Sequence, residues 1–360
     1  MGSSHMKILI DILTPKQGML FSKLSERLQK EGHQTFETTR QYREAIQLLT
    51  LKGIRAQVVG QHGGETLRGK LEASVERTRE LTRITEELHP DIAVSFSSPE
   101  LSRVAFGLKV PHICLNDSPH AEAVARLTIP LATRLLTPKI IPKSAWTTYG
   151  ISPKKITQYK ALDAWAWLKD FKPNERILSQ LGIDKSRPIV VFRTEESQAS
   201  YLLGKTTKAP VIVPLIENLL KSRVDFQAVA VPRYDAQIAS LKEKLEKKVV
   251  ISESIIDTPS LLHYASVFVG AGGTMTQEAA LLGVPAFSCY PGKPYIIENF
   301  LIKRGLIVRE TQTQRIKQLI LKILADPKGA RQRQVKKAKK LTDAFEDPID
   351  VAIRAIQEVA

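Results

Sequence analysis

The chain has 360 residues, with 53 lysines and arginines against 37 aspartates and glutamates, so its formal net charge is +16. This length suits two domains, and the positive charge favours anionic ligands such as nucleotides, nucleic acid or acidic lipid. The two cysteines, Cys114 and Cys289, both lie in apolar runs, which argues against a disulfide framework or a zinc site. No segment has the apolar length of a membrane span or the pattern of a signal peptide, which predicts a cytoplasmic protein.

The first half alternates strands and helices, a pattern that predicts an α/β fold with a parallel sheet. Residues 1–5 resemble an expression-vector remnant, so the domain is expected to begin with the first strand. Strands are predicted at residues 7–11, 34–39, 56–59, 92–96 and 111–115. Helices are predicted at residues 20–30, 42–51, 66–88, 98–106 and 121–136.

The second half repeats this alternation. Strands are predicted at residues 188–192, 226–231, 249–252 and 267–269, with another from Ala286; helices are predicted at 175–181, 210–221, 236–247, 258–265, 314–325 and 346–359. We therefore expect two doubly wound domains, residues 7–168 and 169–340, with residues 341–360 packing back on the first domain. The carboxyl ends of the two sheets are expected to face a ligand-binding cleft between the domains.

The segment VFVGAGGTMTQEAALLGVPAFSCYP, residues 267–291, is the most informative part of the chain. It predicts a buried strand, a glycine turn and a helix that is capped by Thr274 and ends at Gly283. Glycines at a helix N-terminus let an anion reach bare backbone N–H groups and the positive end of the helix dipole. An ordinary strand–helix turn would show the same spacing, so this pattern alone leaves both interpretations open.

A separate basic segment near the C-terminus is expected to be helical. It contains Lys328, Arg331, Arg333, Lys336, Lys337, Lys339 and Lys340. A solvated helix face fits this segment better than a nucleic-acid surface, because no recognised module or pattern of stacking aromatics accompanies the charge. Nucleic acid is therefore not predicted as a partner.

Four segments together resemble the archaeal and bacterial DUF354 group of predicted glycosyltransferases. They are GHQTFETTR, NDSPHAEAVARLTIPLA, AVPRYDAQ and GAGGTMTQEAALLGVPAFSCYPGKP, the last being the most specific. This group is related to the GT-B enzymes, which include MurG-type N-acetylglucosaminyltransferases and non-hydrolysing UDP-N-acetylglucosamine 2-epimerases. The resemblance implies a GT-B fold, with two Rossmann-like doubly wound domains and a nucleotide-sugar donor, a UDP-sugar being favoured, held mainly by the second domain.

The resemblance also implies a set of donor-binding residues. The donor diphosphate would meet the turn and the first helical residues, Gly272, Gly273, Thr274, Met275 and Thr276. Glu278 would bind the ribose hydroxyls; alternatively, it is a carboxylate favoured by the start of a helix. Arg193 and Arg233 follow predicted strands and suit bidentate contacts to phosphate, or else surface ion pairs, and Lys293 is a weaker candidate.

The first domain departs from the GT-B pattern. The loop after its first strand, residues 14–18, has one glycine and no histidine. Asp11 could act as a catalytic base there, or could cap a helix. Asp117 and His120 follow a later strand, and both can take a proton from a sugar hydroxyl. The alternative for this pair is an Asx turn with His120 at the start of the next helix.

These residues favour metal-independent transfer of a sugar to a hydroxyl acceptor, with no cofactor. An epimerase remains an alternative: Asp117 and Glu122 could match two of its acids, although Ser97 and Ser98 stand where a further acid is expected. A third alternative is a nucleotide-sugar-binding protein without catalysis. The acceptor is expected to be a glycan or a lipid-linked molecule. The apolar residues of segment 121–142 suit a protein core better than a membrane surface. If part of that surface is exposed, it could collect a lipid-linked acceptor through peripheral contact at the inner membrane face.

Overall fold

The computed structural model describes residues 5–64, 66–195, 212–245 and 248–359. The chain forms two compact units: the first contains the residues up to Trp167 together with those from Glu346 onward, and the second contains Leu168–Phe345. Residues 1–4 of the vector-like segment, and residues 210, 211, 246 and 247 of two predicted helices, lie outside the described residues.

The first unit is built on a seven-stranded parallel sheet with the order β3-β2-β1-β4-β5-β6-β7. Its strands are β1 (Lys7–Ile12), β2 (Gln34–Gln41), β3 (Gln57–Gln61), β4 (Ile92–Ser95), β5 (His112–Leu115), β6 (Arg134–Pro138) and β7 (Ile156–Tyr159). The central strands are apolar on both faces because helices cover the sheet on both sides. The strand order reverses between β1 and β4, which is where doubly wound folds bind ligands.

Several helices alternate with these strands. They are α1 (Pro15–Lys30), α2 (Arg43–Leu51), α3 (Leu67–Leu88), α4 (Pro99–Gly107), α5 (Glu122–Thr128), α6 (Ser144–Thr147) and α7 (Trp165–Leu168). Helix α1 starts with proline, whose missing N–H is not needed in a first turn. It buries Leu20, Leu24 and Leu28 at helical spacing, so one face of α1 packs into the core.

The predicted helix at residues 121–136 is correct at its start but too long. Helix α5 stops at Thr128, a short 3-10 turn covers Ile129–Leu131, and strand β6 then begins. Pro130 cannot donate a backbone hydrogen bond, and its ring crowds the preceding turn, so the α-helix does not continue past it. Leu135 and Leu136 are fully buried in β6. These two side chains belong to the core, whereas Leu127 of α5 is 58% exposed.

The second unit contains a six-stranded parallel sheet with the order β10-β9-β8-β11-β12-β13. Its strands are β8 (Ile189–Arg193), β9 (Gln227–Val231), β10 (Val250–Ile251), β11 (Val267–Gly270), β12 (Ala286–Ser288) and β13 (Ile307–Arg309). Val190, Phe192, Val267 and Val269 are fully buried in the core that this sheet shares with its helices. The order reverses between β8 and β11, so the glycine turn after β11 lies at the topological switch point.

The helices of the second unit are α8 (Arg176–Gln180), α9 (Ile212–Leu220), α10 (Asp235–Leu245), α11 (Thr258–Tyr264), α12 (Thr274–Leu281), α13 (Ile296–Lys303), α14 (Thr313–Ala325) and α15 (Pro327–Thr342). The predicted basic helix is α15. Its Arg331 donates hydrogen bonds to the carbonyls of Leu262, Ala265 and Leu282, whereas the other six basic side chains of the segment are exposed. Among the described residues, no helix is both long and apolar enough to cross a membrane.

The last helix, α16 (Pro348–Val359), belongs to the first unit. Ile353 and Ile356 are buried on its inner face. Its Asp350 pairs with Arg27 of α1, and its Glu358 pairs with Arg134 of β6. The chain thus returns to the first unit after it has formed the second.

Candidate functional site

The glycine turn of the second unit joins β11 to α12. Gly272 and Gly273 have φ angles of 83° and 88°, a backbone region that residues other than glycine rarely adopt. Gly273 occupies the cap position and Thr274 is the first helical residue, so the prediction that Thr274 caps the helix is wrong. Gly283, with a φ of 68°, follows the end of this helix as predicted.

At the start of α12, backbone groups rather than side chains are available to a ligand. Met275 and Thr276 are buried, and Thr274 is half-buried. The first N–H groups of a helix have no carbonyl partner within the helix, and they carry the positive end of its dipole. Gly273 is exposed, so a ligand can approach this backbone from solvent.

Arg233 extends from the end of β9 to this glycine turn. A Cβ atom built on Gly273 would lie 3.4 Å from Nη2 of Arg233. The Nε atom of Arg233 donates to the carbonyl of Thr194 at 3.3 Å, which orients the guanidinium. The side chain of Gln237 accepts from the Arg233 N–H at 2.8 Å and from the Thr194 hydroxyl at 2.7 Å. The loops after β8 and β9 are therefore joined around Arg233.

Arg193 braces the same edge of the sheet. Its Nη1 atom donates to the carbonyls of Val231 at 3.2 Å and Pro232 at 2.7 Å. This places a second guanidinium at the carboxyl end of β8, beside Gly270 in the neighbouring strand. These two hydrogen bonds hold the backbone just before Arg233.

Two carboxylates flank the turn. Glu278 is 2% exposed on α12, and its Oε2 accepts a hydrogen bond from Thr258 at 3.2 Å. Glu298 of α13 faces the turn, since a Cβ on Gly272 would lie 3.5 Å from its Oε2. Burial raises the pKa of Glu298, against the opposing effects of Ser288 and Arg309. Lys293 is exposed in the loop after β12.

The first unit holds a compact charged cluster at the carboxyl edge of its own sheet. Lys16 follows β1, Asp117 follows β5 and Asp163 follows β7. The Nζ atom of Lys16 lies 2.5 Å from Oδ2 of Asp117 and 2.6 Å from Oδ2 of Asp163. It also lies 4.3 Å from the centroid of the Phe96 ring. The hydroxyl of Tyr159 donates to Asp163.

The two carboxyl groups have opposite pKa shifts. Burial would raise the pKa of Asp117, but the charge and hydrogen bond of Lys16 hold it below its usual value. Asp163 is completely buried, and burial raises its pKa to about 6 despite Lys16, with the charge of Asp117 adding to the rise. Lys16 stays charged, because the two aspartates outweigh the effect of its burial and raise its pKa. One cation thus stabilises an ionised carboxylate beside a second carboxyl that titrates much closer to neutral pH.

Hydrogen bonds fix the loop that carries Asp117. Asn116 accepts a hydrogen bond from the N–H of Ser118 at 2.7 Å and forms the Asx turn, so Asp117 is not used for it. Asn116 also donates to Ser97 at 2.6 Å. Ser97 has a φ of 54°, a left-handed conformation that this contact helps to hold. His120 is half-buried two positions before α5, and burial lowers its pKa.

Asp11 neither caps a helix nor lies free to act as a base. It is completely buried, with Oδ1 at 2.5 Å from Nη2 of Arg77 and Oδ2 at 3.0 Å from Nη1. Thr38 donates to the same carboxylate at 2.8 Å. Arg77 holds the pKa of Asp11 below its usual value, although burial alone would raise it. This pairing is not visible from the sequence, because Arg77 is one of many charged residues along the polar helix α3.

Sequence reasoning also missed Lys16, Asp163 and Gln237. Lys16 belongs to segment 14–18, which departs from the GT-B pattern. This segment is expected to be a loop, but its residues 15–18 form the first turn of α1. The position of Lys16 shortly after β1 is the signal that could have identified it. Asp163 follows β7, a strand that was not predicted. In the described parts of the chain, no three His, Cys, Asp or Glu side chains are grouped so as to hold a metal ion.

Comparison with known proteins supports both the family and the fold. The family described as "Protein of unknown function (DUF354)" matches residues 6–358. An uncharacterised protein of Methanocaldococcus jannaschii is 30% identical over 357 residues, which cover 98% of each chain.

Two solved structures share the architecture at low sequence identity. A UDP-GlcNAc 2-epimerase of Neisseria meningitidis, bound to UDP-GlcNAc, matches with a TM-score of 0.73 and 17% identity, covering 98% of this chain and all of the other (100%). The spinosyn forosaminyltransferase SpnP matches with a TM-score of 0.65 and 16% identity, covering 99% and 100%. With the two parallel sheets, this likeness confirms the predicted α/β fold class of GT-B type. The chain belongs to the DUF354 family.

Proposed function

We propose that this protein is a glycosyltransferase that moves a sugar from a nucleotide-sugar donor, preferably a UDP-sugar, to a hydroxyl acceptor. The observation that carries the proposal is the proximity of the exposed Gly273, at the start of α12, to the guanidinium of Arg233. Backbone N–H groups and a fixed arginine are the groups that bind phosphate oxygens in proteins. Proteins of the same fold support the choice of ligand, since the Neisseria epimerase binds UDP-GlcNAc.

In this proposal the donor binds to the second unit. The N–H groups of residues 273–276 and the guanidinium of Arg233 contact the diphosphate, and Arg193 keeps Arg233 in place. Glu278, oriented by Thr258, accepts hydrogen bonds from the ribose hydroxyls. Glu298 faces the turn and accepts hydrogen bonds from hydroxyls of the transferred sugar. Lys293 adds positive charge at the same edge.

The first unit supplies the base. Asp117 takes the proton of the acceptor hydroxyl, while Lys16 and Ser118 hold its carboxylate in position. The acceptor oxygen forms a bond to the anomeric carbon, and the bond from that carbon to the diphosphate oxygen breaks. The nucleoside diphosphate leaves with the electron pair, and its new negative charge is stabilised by Arg233 and the α12 amides. His120 is a second proton acceptor beside Asp117.

An epimerase is the second candidate, and Asp163 favours it. From the sequence, one of the acids expected of an epimerase is missing from the first unit. In the structure, the carboxyl groups of Asp163 and Asp117 both pair with Lys16. An enzyme that eliminates and re-adds a nucleotide needs proton transfer at two stages, which two carboxyl groups of different pKa can provide.

A product assay separates these functions. UDP-GlcNAc and UDP-glucose are incubated with the protein, alone and with a panel of glycan and lipid-linked acceptors, with and without EDTA. Release of UDP only when an acceptor is present, unchanged by EDTA, supports metal-independent transfer. Interconversion of the sugar nucleotide without an acceptor indicates an epimerase, and binding of UDP without turnover indicates a non-catalytic protein.

A further inference from the structure

The segment GHQTFETTR ends on Arg40, a residue to which the proposed reaction gives no role. Arg40 lies near the carboxyl end of β2, next to β1 at the edge of the sheet where Lys16 and Asp117 are found. The pairing of β2 with β3 shifts at this point: Thr39 opposes Val58, but Gln41 opposes Gln61. The extra residue lies in β3, between Val58 and Gln61, so the bulge interrupts the pairing beside Arg40; such bulges are common beside functional sites.

Among the residues that the structure describes, none accepts a hydrogen bond from the guanidinium of Arg40. Its Nε atom is buried without a partner, and the side chain as a whole is half-buried, so it still reaches solvent. Its guanidinium lies over the Tyr42 ring, whose centroid is 5.8 Å from Cζ. A buried guanidinium without an acceptor loses hydration that nothing replaces.

The neighbouring carboxylates, Asp11 and Glu100, pair with Arg77 and do not accept hydrogen bonds from Arg40 within the described residues. Asp11 accepts both Nη groups of Arg77, and Glu100 lies 3.6 Å from Arg77 and accepts from Ser74 at 2.6 Å. Arg77 also donates to the carbonyl of Val59 at 2.9 Å. Burial lowers the pKa of Arg40, and Arg77 lowers it further, whereas Glu100 and Asp11 raise it. Two arginines therefore share one edge, and only Arg77 has its donors satisfied.

We propose that Arg40 binds an anionic group, a carboxylate or a phosphate, on the acceptor molecule. This inference rests on the proposed transfer reaction, because it places the acceptor on the first unit with Asp117. The planar guanidinium matches either group with two parallel hydrogen bonds. The acceptor is thus an acidic sugar or a sugar phosphate rather than a neutral glycan.

The first experiment measures binding of inorganic phosphate by calorimetry to protein saturated with UDP, so that phosphate does not report the donor site. Wild type, Arg40→Gln and Arg103→Gln are compared; Arg103 is an exposed arginine of α4 and serves as the matched control. We expect Arg40→Gln to weaken phosphate binding by about tenfold or more, since charge-assisted hydrogen bonds are lost, and Arg103→Gln to leave it unchanged. Equal affinity in all three proteins would overturn the proposal.

A second variant tests the proposal if Arg40→Gln does not fold. Arg40→Lys keeps the charge but not the planar fork, and we expect it to bind phosphate several-fold more weakly than wild type. Glucuronate, glucose 6-phosphate and glucose then identify the group. Tighter binding of glucuronate assigns a carboxylate and tighter binding of glucose 6-phosphate assigns a phosphate, whereas glucose binding as tightly as both would overturn the proposal. If UDP itself does not bind, the proposed function fails, but the comparison of Arg40 variants still stands.

Discussion

The Nζ atom of Lys16 lies 2.6 Å from Oδ2 of Asp163, a carboxyl group with no exposed surface. Lys16 lies in the first turn of α1, which follows β1, and Asp163 lies between β7 and α7. Their contact therefore joins the start of a helix to a loop at one edge of the sheet. The ammonium group of Lys16 also pairs with Asp117. The ionisation of Asp117, the proposed base, therefore depends on Lys16. Several measurable properties follow from this arrangement.

The stability of the first unit should depend on pH through Asp163. Its pKa of about 6 lies above the unfolded value of roughly 3.9, so the folded state binds the proton more tightly between these values. Its contribution to the unfolding free energy is therefore most favourable at low pH and declines as pH rises from about 4 to 6, by as much as about 3 kcal/mol. Urea unfolding followed by tryptophan fluorescence reports this unit, since Trp146, Trp165 and Trp167 all lie in it.

Asp163→Asn should remove this decline, whereas the exposed Glu86→Gln should retain it. A difference between wild type and Asp163→Asn that stays constant across this pH range would show that Asp163 does not titrate there.

Replacing Asp117 should separate chemistry from donor binding. We expect Asp117→Asn to lower kcat by about 10²- to 10⁴-fold, because the amide cannot accept the acceptor proton. UDP affinity should stay within about twofold of wild type, since the donor contacts lie on the second unit. Glu86→Gln is again the control, and full activity of Asp117→Asn would exclude it as the base.

Arg233 should dominate the affinity for UDP. Arg233→Gln is expected to weaken UDP binding about 10- to 100-fold, because charge-assisted hydrogen bonds to the diphosphate are lost. Arg223→Gln, which removes an exposed arginine of the same unit, should have little effect. Calorimetric titration of UDP measures all three proteins, and similar affinities would place the diphosphate elsewhere.

The ion pair of Arg77 with Asp11 should be structural. Arg77→Met leaves the carboxylate of Asp11 buried without its partner, which should cost about 3–5 kcal/mol of stability in the first unit. Arg79→Met removes an exposed ion pair from the same helix and should cost less than about 1 kcal/mol. The double variant Asp11→Asn/Arg77→Met should recover part of the loss in urea unfolding monitored by tryptophan fluorescence. A double variant less stable than Arg77→Met would mean that the buried charge is not the source of the cost.

The sequence predicted much of the fold because its signals are local. Glycines such as Gly272 and Gly283 mark a turn and a helix end through their own backbone preference, and apolar runs mark buried strands. The segment at residues 121–136 misled this reasoning. Its apolar residues match both helical and strand periods over a short stretch, and Pro130 was the one local sign of the break.

The charged cluster could not be predicted in the same way. Lys16, Asp117 and Asp163 meet because strands β1, β5 and β7 end at one edge, and this depends on strand order rather than on neighbouring residues. The pairing of Arg77 with Asp11 likewise depends on how α3 packs on the sheet. Contacts of this kind need the three-dimensional structure.

Helix α16 has a consequence for biosynthesis. Its buried face completes the first unit, yet it is translated after every residue of the second. Because domains tend to fold as they emerge from the ribosome, the second unit can fold while the first still lacks a helix. Until residues 348–359 are made, the surface that Ile353 and Ile356 will cover stays open to chaperones or to aggregation.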